Sequence, residues 1–119
     1  IVTVIGSPGF PAAPEQLRER LMASVRRAWR PAGTVRQLTA IAADGDRSAL
    51  VKSIRAPTRV IHGEADPLVP VGAGHDLAAR IAGAVLDVVP GMGHDLPLAL
   101  LPRFAAGIAE NASRAAATA

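Results

Sequence analysis

Apolar positions recur in two different rhythms along this chain of 119 residues. In the front part they return every three to four residues. Leu17, Leu21, Val25 and the pair Ala28/Trp29 trace one stripe, which predicts a helix with a single apolar face. Its start is set near Pro14, because proline suits the first helical turn and Glu15 complements the dipole there. Pro31 ends it. Val35, Leu38 and Ile41/Ala42 predict a second helix from about residue 32 to 43, broken by Asp44-Gly45-Asp46. Residues 48–54 predict one more short helical turn. Ahead of these helices, Gly6-Ser7-Pro8-Gly9-Phe10-Pro11 follows a β-like run from Ile1 and marks a loop. Trp29 is expected to anchor its helix in a core.

The rhythm changes at Ala56-Pro57. Residues 58–62 are short and β-branched and predict a strand. A turn-rich loop follows over 63–70. Val71, Gly74, Leu77, Ala78 and Ile81 share one side of a helix predicted over 71–81. A second strand is predicted over 84–89 and a loop over 90–93. Leu101, Phe104 and Ile108 face inward on a helix from Leu98 to about Asn111. Residues 112–119, rich in Ala, Ser and Thr, are expected to be a flexible tail. The fold class is therefore α/β, with two parallel strands, flanking helices and N-terminal cap-like helices. Three segments follow: a helical cap-like segment over 1–55, a β-α-β-α part over 56–111, and the tail over 112–119. Strands joined through a helix are parallel, and ligands in open α/β sheets bind beyond the strands' carboxyl ends. The loops at those ends hold Glu64, Asp66, His94 and Asp95.

Composition narrows the function classes. Half of the residues are hydrophobic and 19% are charged, which suits one small core rather than disorder. With two Phe, one Trp and no Tyr, that core must be built from Val, Ile, Leu and Ala. Thirteen basic against ten acidic residues give a net charge of +3, too little to indicate nucleic acid. The cluster Arg18, Arg20, Arg26, Arg27 and Arg30, interleaved with Glu15 and Glu19, reads as a solvated helix face without aromatic stacking platforms. The absence of cysteine removes disulfides, thiolate catalysis and Cys-type zinc sites. The chain contains no apolar run approaching the roughly 20 residues that span a bilayer, so no membrane association is expected. The start at Ile1 has neither a charged n-region nor an initiating Met. It is expected to lie inside a longer, cytoplasmic chain rather than to be a signal peptide. Ligand spacing such as His-x-x-x-His is missing, so neither a metal nor another cofactor is expected.

The chemistry concentrates on Asp66 and His94. If the strands are neighbours, their ends lie about 5 Å apart, and a carboxylate and an imidazole there reach bonding distance. Such a pair supports general-base catalysis, because the carboxylate fixes the imidazole tautomer and stabilises the imidazolium. Gly91 and Gly93 allow a sharp turn before the histidine.

Two motifs carry a resemblance. Ala56-Pro57-Thr58-Arg59-Val60-Ile61-His62-Gly63-Glu64-Ala65-Asp66-Pro67-Leu68-Val69-Pro70 resembles the segment of the α/β-hydrolase superfamily that holds the triad acid. Pro90-Gly91-Met92-Gly93-His94-Asp95-Leu96-Pro97 resembles the family's closing segment with the triad base. The two residues stand 28 positions apart, which also suits that family. The front half is similar to the cap helices of esterases like aclacinomycin methylesterase. The resemblance implies a C-terminal part of a carboxylic-ester hydrolase, with Asp66 as acid, His94 as base, and Asp95 a bystander. Met92, Leu68 and Val69 are expected to line the pocket for a small-molecule ester.

The family's nucleophile, a Ser in a G-x-S-x-G elbow that precedes the acid and base, has no counterpart here. Ser7 does not fit it. Ile5 stands where the elbow needs Gly, and Pro8 has no N–H to give an oxyanion hole. A cap-like helical region also follows directly. The chain alone is thus expected to be inactive on esters. Perhydrolase or cofactor-free haloperoxidase chemistry uses the same layout and stays open, as does the Asp nucleophile of epoxide hydrolases. A non-catalytic binding or oligomeric module is the other alternative, since a strand lacking its neighbour invites association through the sheet edge.

Overall fold

A computed structural model describes residues 2–117. Ile1, Thr118 and Ala119, which belong to the predicted β-like run and tail, lie outside the described residues. The elements are α1 (Val2–Ile5), α2 (Pro14–Arg27), α3 (Pro31–Asp44), α4 (Ser48–Lys52), β1 (Arg59–Gly63), α5 (Val71–Arg80), β2 (Val85–Val89), a 3₁₀ turn (Leu98–Leu100) and α6 (Leu101–Ala116). They divide into two compact units, one of residues 1–11 and 48–119, the other of residues 12–47.

The first unit is built on a parallel pair. β1 and β2 run side by side with Arg59 opposite Val85 and Gly63 opposite Val89. The intervening α5 crosses between them, as parallel pairing requires. Side chains alternate across the sheet, so the two faces meet different helices. Gly74 of α5 approaches His62 so closely that a Cβ there would stand 3.0 Å from the His62 Cβ. Gly107 of α6 lies over Arg59 and Ile61 on the opposite face, where an added Cβ would stand 3.1 Å from the Arg59 Cδ. Val89, Met92, Leu100 and Phe104 form the buried cluster, with Phe10 and Ile61 packed against it.

The sequence predicts a loose tail after Asn111, but α6 continues to Ala116. Alanine favours the helix, and side chains beyond the expected end tie it down. Asn111 Nδ2 donates to Pro57 O at 2.9 Å, and Arg114 donates to Gly83 O at 2.6 Å. The β-like run before Ser7 also differs, since Val2–Ile5 is a helical turn. β-Branched residues favour strands largely through cross-strand packing, and this run pairs with no strand among the described residues. Ile5 O instead accepts the N–H of His94 at 2.7 Å.

Where the sequence predicts one cap-like segment over 1–55, the compact helical unit is shorter. Residues 1–11 group with the β-α-β body because Ile5 and Gly9 bond to the loop after β2. Residues 48–55 join it because α4 packs on α5. The second unit consists of α2 and α3, and neither contains a buried residue. Their predicted apolar stripes are present but uncovered, with Leu21, Val25, Val35, Leu38 and Ile41 all exposed. Trp29, expected in a core, is 72% exposed. α2 stops at Arg27 with an extended Ala28. Pro31 opens α3, and proline disfavours helical backbone just before it, so Trp29 falls outside the helical face. Among the described residues, no helix is long and apolar enough to cross a membrane.

Candidate active site

Both strands end in turns, one bearing Asp66 and the other His94. Beyond β1 the backbone keeps bonding to its neighbour: Glu64 N donates to Val89 O and Ala65 N to Met92 O, each at 3.0 Å. The chain then turns, with Asp66 N donating to Gly63 O at 3.3 Å. Beyond β2, Gly91 takes a φ of +70°, a conformation glycine adopts without steric cost. The two turns touch through Gly63, whose added Cβ would overlap Met92 O.

At this junction Asp66 and His94 meet. His94 Nδ1 and Asp66 Oδ2 lie 2.8 Å apart. The other carboxylate oxygen accepts the N–H groups of Leu68 at 2.8 Å and Val69 at 2.9 Å, the turn that Asp readily makes with its own backbone. The Asp66 side chain is 6% exposed and that of His94 42%. Burial pushes the Asp66 carboxyl up, but the Val69 N–H, the His94 ring and the Leu68 N–H outweigh it. The carboxyl is held below its ordinary value. An ionised carboxylate only accepts, so His94 carries a proton on Nδ1, and the neutral imidazole in that tautomer has its lone pair on Nε2. That is the state a general base needs.

His62 lies behind the acid, with Nε2 2.9 Å from Val69 O and 3.9 Å from Asp66 Oδ2. It is a loop-bonded residue, as its place at a strand end suggests. A cleft of about 330 Å³ opens beside the pair, lined in part by Ile61, Val69, Met92 and Leu96. Of the three residues expected to line a pocket, Val69 and Met92 border this cleft. Leu68 does not; it is 56% exposed. The Asp66 turn aims the Leu68 N–H at the carboxylate while its side chain faces outward. His75 is exposed on α5.

No protein-family model matches the chain. The geometry therefore stands on its own residues. Among the described residues, no group of three or more His, Asp and Glu is arranged to hold a metal ion. Both oxygens of Asp66 are already engaged.

Ser7 and Asp95 have a relationship that sequence reasoning missed. Ser7 is buried, 6% exposed. Its hydroxyl donates to Asp95 and accepts the Gly93 N–H at 2.8 Å. The hydroxyl is thus committed within the protein and shielded from any substrate. The residues stand 88 positions apart, and no local spacing signals the contact. Chemically, the arrangement can take up and return a proton at His94 Nε2 beside an apolar-walled cleft, but it offers no exposed hydroxyl within it.

Proposed function

We propose that this chain supplies the acid and base of a Ser-Asp-His triad in an α/β-hydrolase of the carboxylic-ester class, with the nucleophile coming from outside these residues. The observation carrying this reading is the 2.8 Å contact between His94 Nδ1 and Asp66 Oδ2 at the ends of adjacent parallel strands. It supports the two motif resemblances, because each falls on the turn where a triad member belongs. Asp66 holds the Nδ1–H tautomer. His94 Nε2 takes a proton from a serine hydroxyl and returns it to the leaving alcohol. The cleft wall of Ile61, Val69 and Met92 suits an apolar part of a small ester.

Two measurements test it. p-Nitrophenyl acetate turnover by the chain is expected to match that of its His94→Ala variant. A large His94-dependent rate would overturn the missing nucleophile. Transfer of residues 56–97 into an active esterase of this fold, in place of its own closing segment, is expected to give turnover that depends on Asp66 and His94. A folded but inactive chimaera would overturn the acid–base assignment.

A further inference from the structure

The turn that presents His94 is held from one side by a segment distant in sequence. His94 N donates to Ile5 O at 2.7 Å, and Gly9 N donates to Gly91 O at 2.9 Å. Between these two bonds, the Ser7 hydroxyl accepts the Gly93 N–H at 2.8 Å and donates to Asp95. Four hydrogen bonds thus join residues 5–9 to residues 91–95. The packing leaves no slack, since a Cβ on Gly93 would overlap Gly6 O and one on Gly9 would stand 3.0 Å from the Gly91 Cα.

We propose that Ser7 is a positioning residue, whose buried hydroxyl fixes the His94 turn and ties down the Asp95 carboxylate so that His94 pairs with Asp66 alone. The proposal rests on the acid–base reading of that pair. Asp95 follows His94 directly in the chain, so an untied Asp95 would offer a second carboxylate beside the same turn. A histidine that alternates between two carboxylates spends part of its time with Nε2 wrongly aimed. Ser7 removes the ambiguity. Its hydroxyl has one proton to donate and gives it to Asp95, while its lone pair holds the Gly93 amide one residue before the histidine. A hydrogen bond to a carboxylate is stronger than a neutral one, and the Ser7 hydroxyl, itself buried, has little competition from water on its own side. Ser7 therefore acts on the histidine through the turn and without touching substrate.

The test uses the whole chain with its histidines labelled with nitrogen-15, and reads solvent exchange of two ring protons by NMR. One is His94 Nδ1–H, bonded to Asp66. The other is His62 Nε2–H, bonded to Val69 O, which reports general opening of the fold. Ser7→Ala is expected to speed exchange at His94 about tenfold, the scale for losing one charge-assisted bond, and to leave His62 unchanged. Asp95→Ala removes the rival carboxylate and is expected to leave His94 close to the parent, while Ser7→Cys, a weaker donor, provides the second variant if Ser7→Ala folds poorly. Combining Ser7→Ala with Asp95→Ala should slow exchange back towards the parent, because the untied carboxylate is then gone. Asp95→Asn keeps an acceptor for the hydroxyl and should stay close to the parent. Equal acceleration at both histidines, or none at His94, overturns the proposal. Asp66→Ala separates the two levels. If it fails to speed His94 exchange, the acid–base reading falls and takes this proposal with it. If it speeds exchange while Ser7→Ala does not, only the positioning role is lost.

Discussion

His94 Nδ1 lies 2.8 Å from Asp66 Oδ2, although the two residues belong to turns on different strands. The contact has a consequence for stability against pH. Asp66 is held below its ordinary value of 3.8 by its bonds to Val69, His94 and Leu68, which outweigh the opposing effect of burial. Asp87 is held below the same value chiefly by its bond to Arg103, against burial. A carboxyl with a lowered folded pKa binds protons more readily when unfolded. Its stabilisation is present above the ordinary value and fades as pH falls through the lowered one. The urea midpoint is expected to change little from these groups between neutrality and about pH 5, then to drop below about pH 4. Asp66→Asn and Asp87→Asn should each flatten that acid limb. An unchanged limb in both variants would contradict the assignment.

Gly63→Ala should destabilise the chain by about 1–3 kcal/mol, the usual range for forcing extra volume into a filled site. The new Cβ would overlap the Met92 carbonyl where the turns bearing Asp66 and His94 touch. Gly72→Ala makes the opposite change. Nothing lies within 4 Å of its added Cβ and it sits in α5, so it should stabilise by about 0.5–1 kcal/mol. Thermal or urea denaturation of the two variants measures the contrast.

Phe104→Ala is expected to cost about 3–5 kcal/mol. Among the described residues, Phe104 belongs to a cluster of four buried hydrophobic residues with two more packed against it. A core that small leaves little surplus stability, so cooperative unfolding should be lost. A sharp transition retained by Phe104→Ala in near-ultraviolet circular dichroism would show that the core lies elsewhere.

The chain is expected to self-associate. β1 pairs with β2 along one edge and with no other strand among the described residues, and unpaired strand edges template association. Leu50, Leu98 and Ile108 are exposed on the same unit. Light scattering over a concentration series should show mass rising with concentration. A single monomeric mass throughout would count against it.

Much of the body was legible in the sequence. The β-branched run 58–62 predicts the strand found at Arg59–Gly63, and the apolar spacing over 71–81 predicts the helix found at Val71–Arg80. Those signals are local, because alternation and helical spacing depend on near neighbours. The misreadings share the opposite property. Trp29, the run before Ser7 and the end of α6 each turned on contacts with distant residues or on a neighbouring proline.

The sequence by itself determined the chemical types at the strand ends, an acid after one strand and an imidazole after the next. It also determined the glycines that let those turns form. Only the tertiary structure decided which carboxylate the imidazole takes. Asp95 is nearer in the chain and bonds Ser7, 88 positions away, while Asp66 is the partner of His94 because parallel pairing brings the two strand ends together. Hydrogen-bond partners are selected by distance in space, and chain separation carries no information about that distance until the sheet has formed.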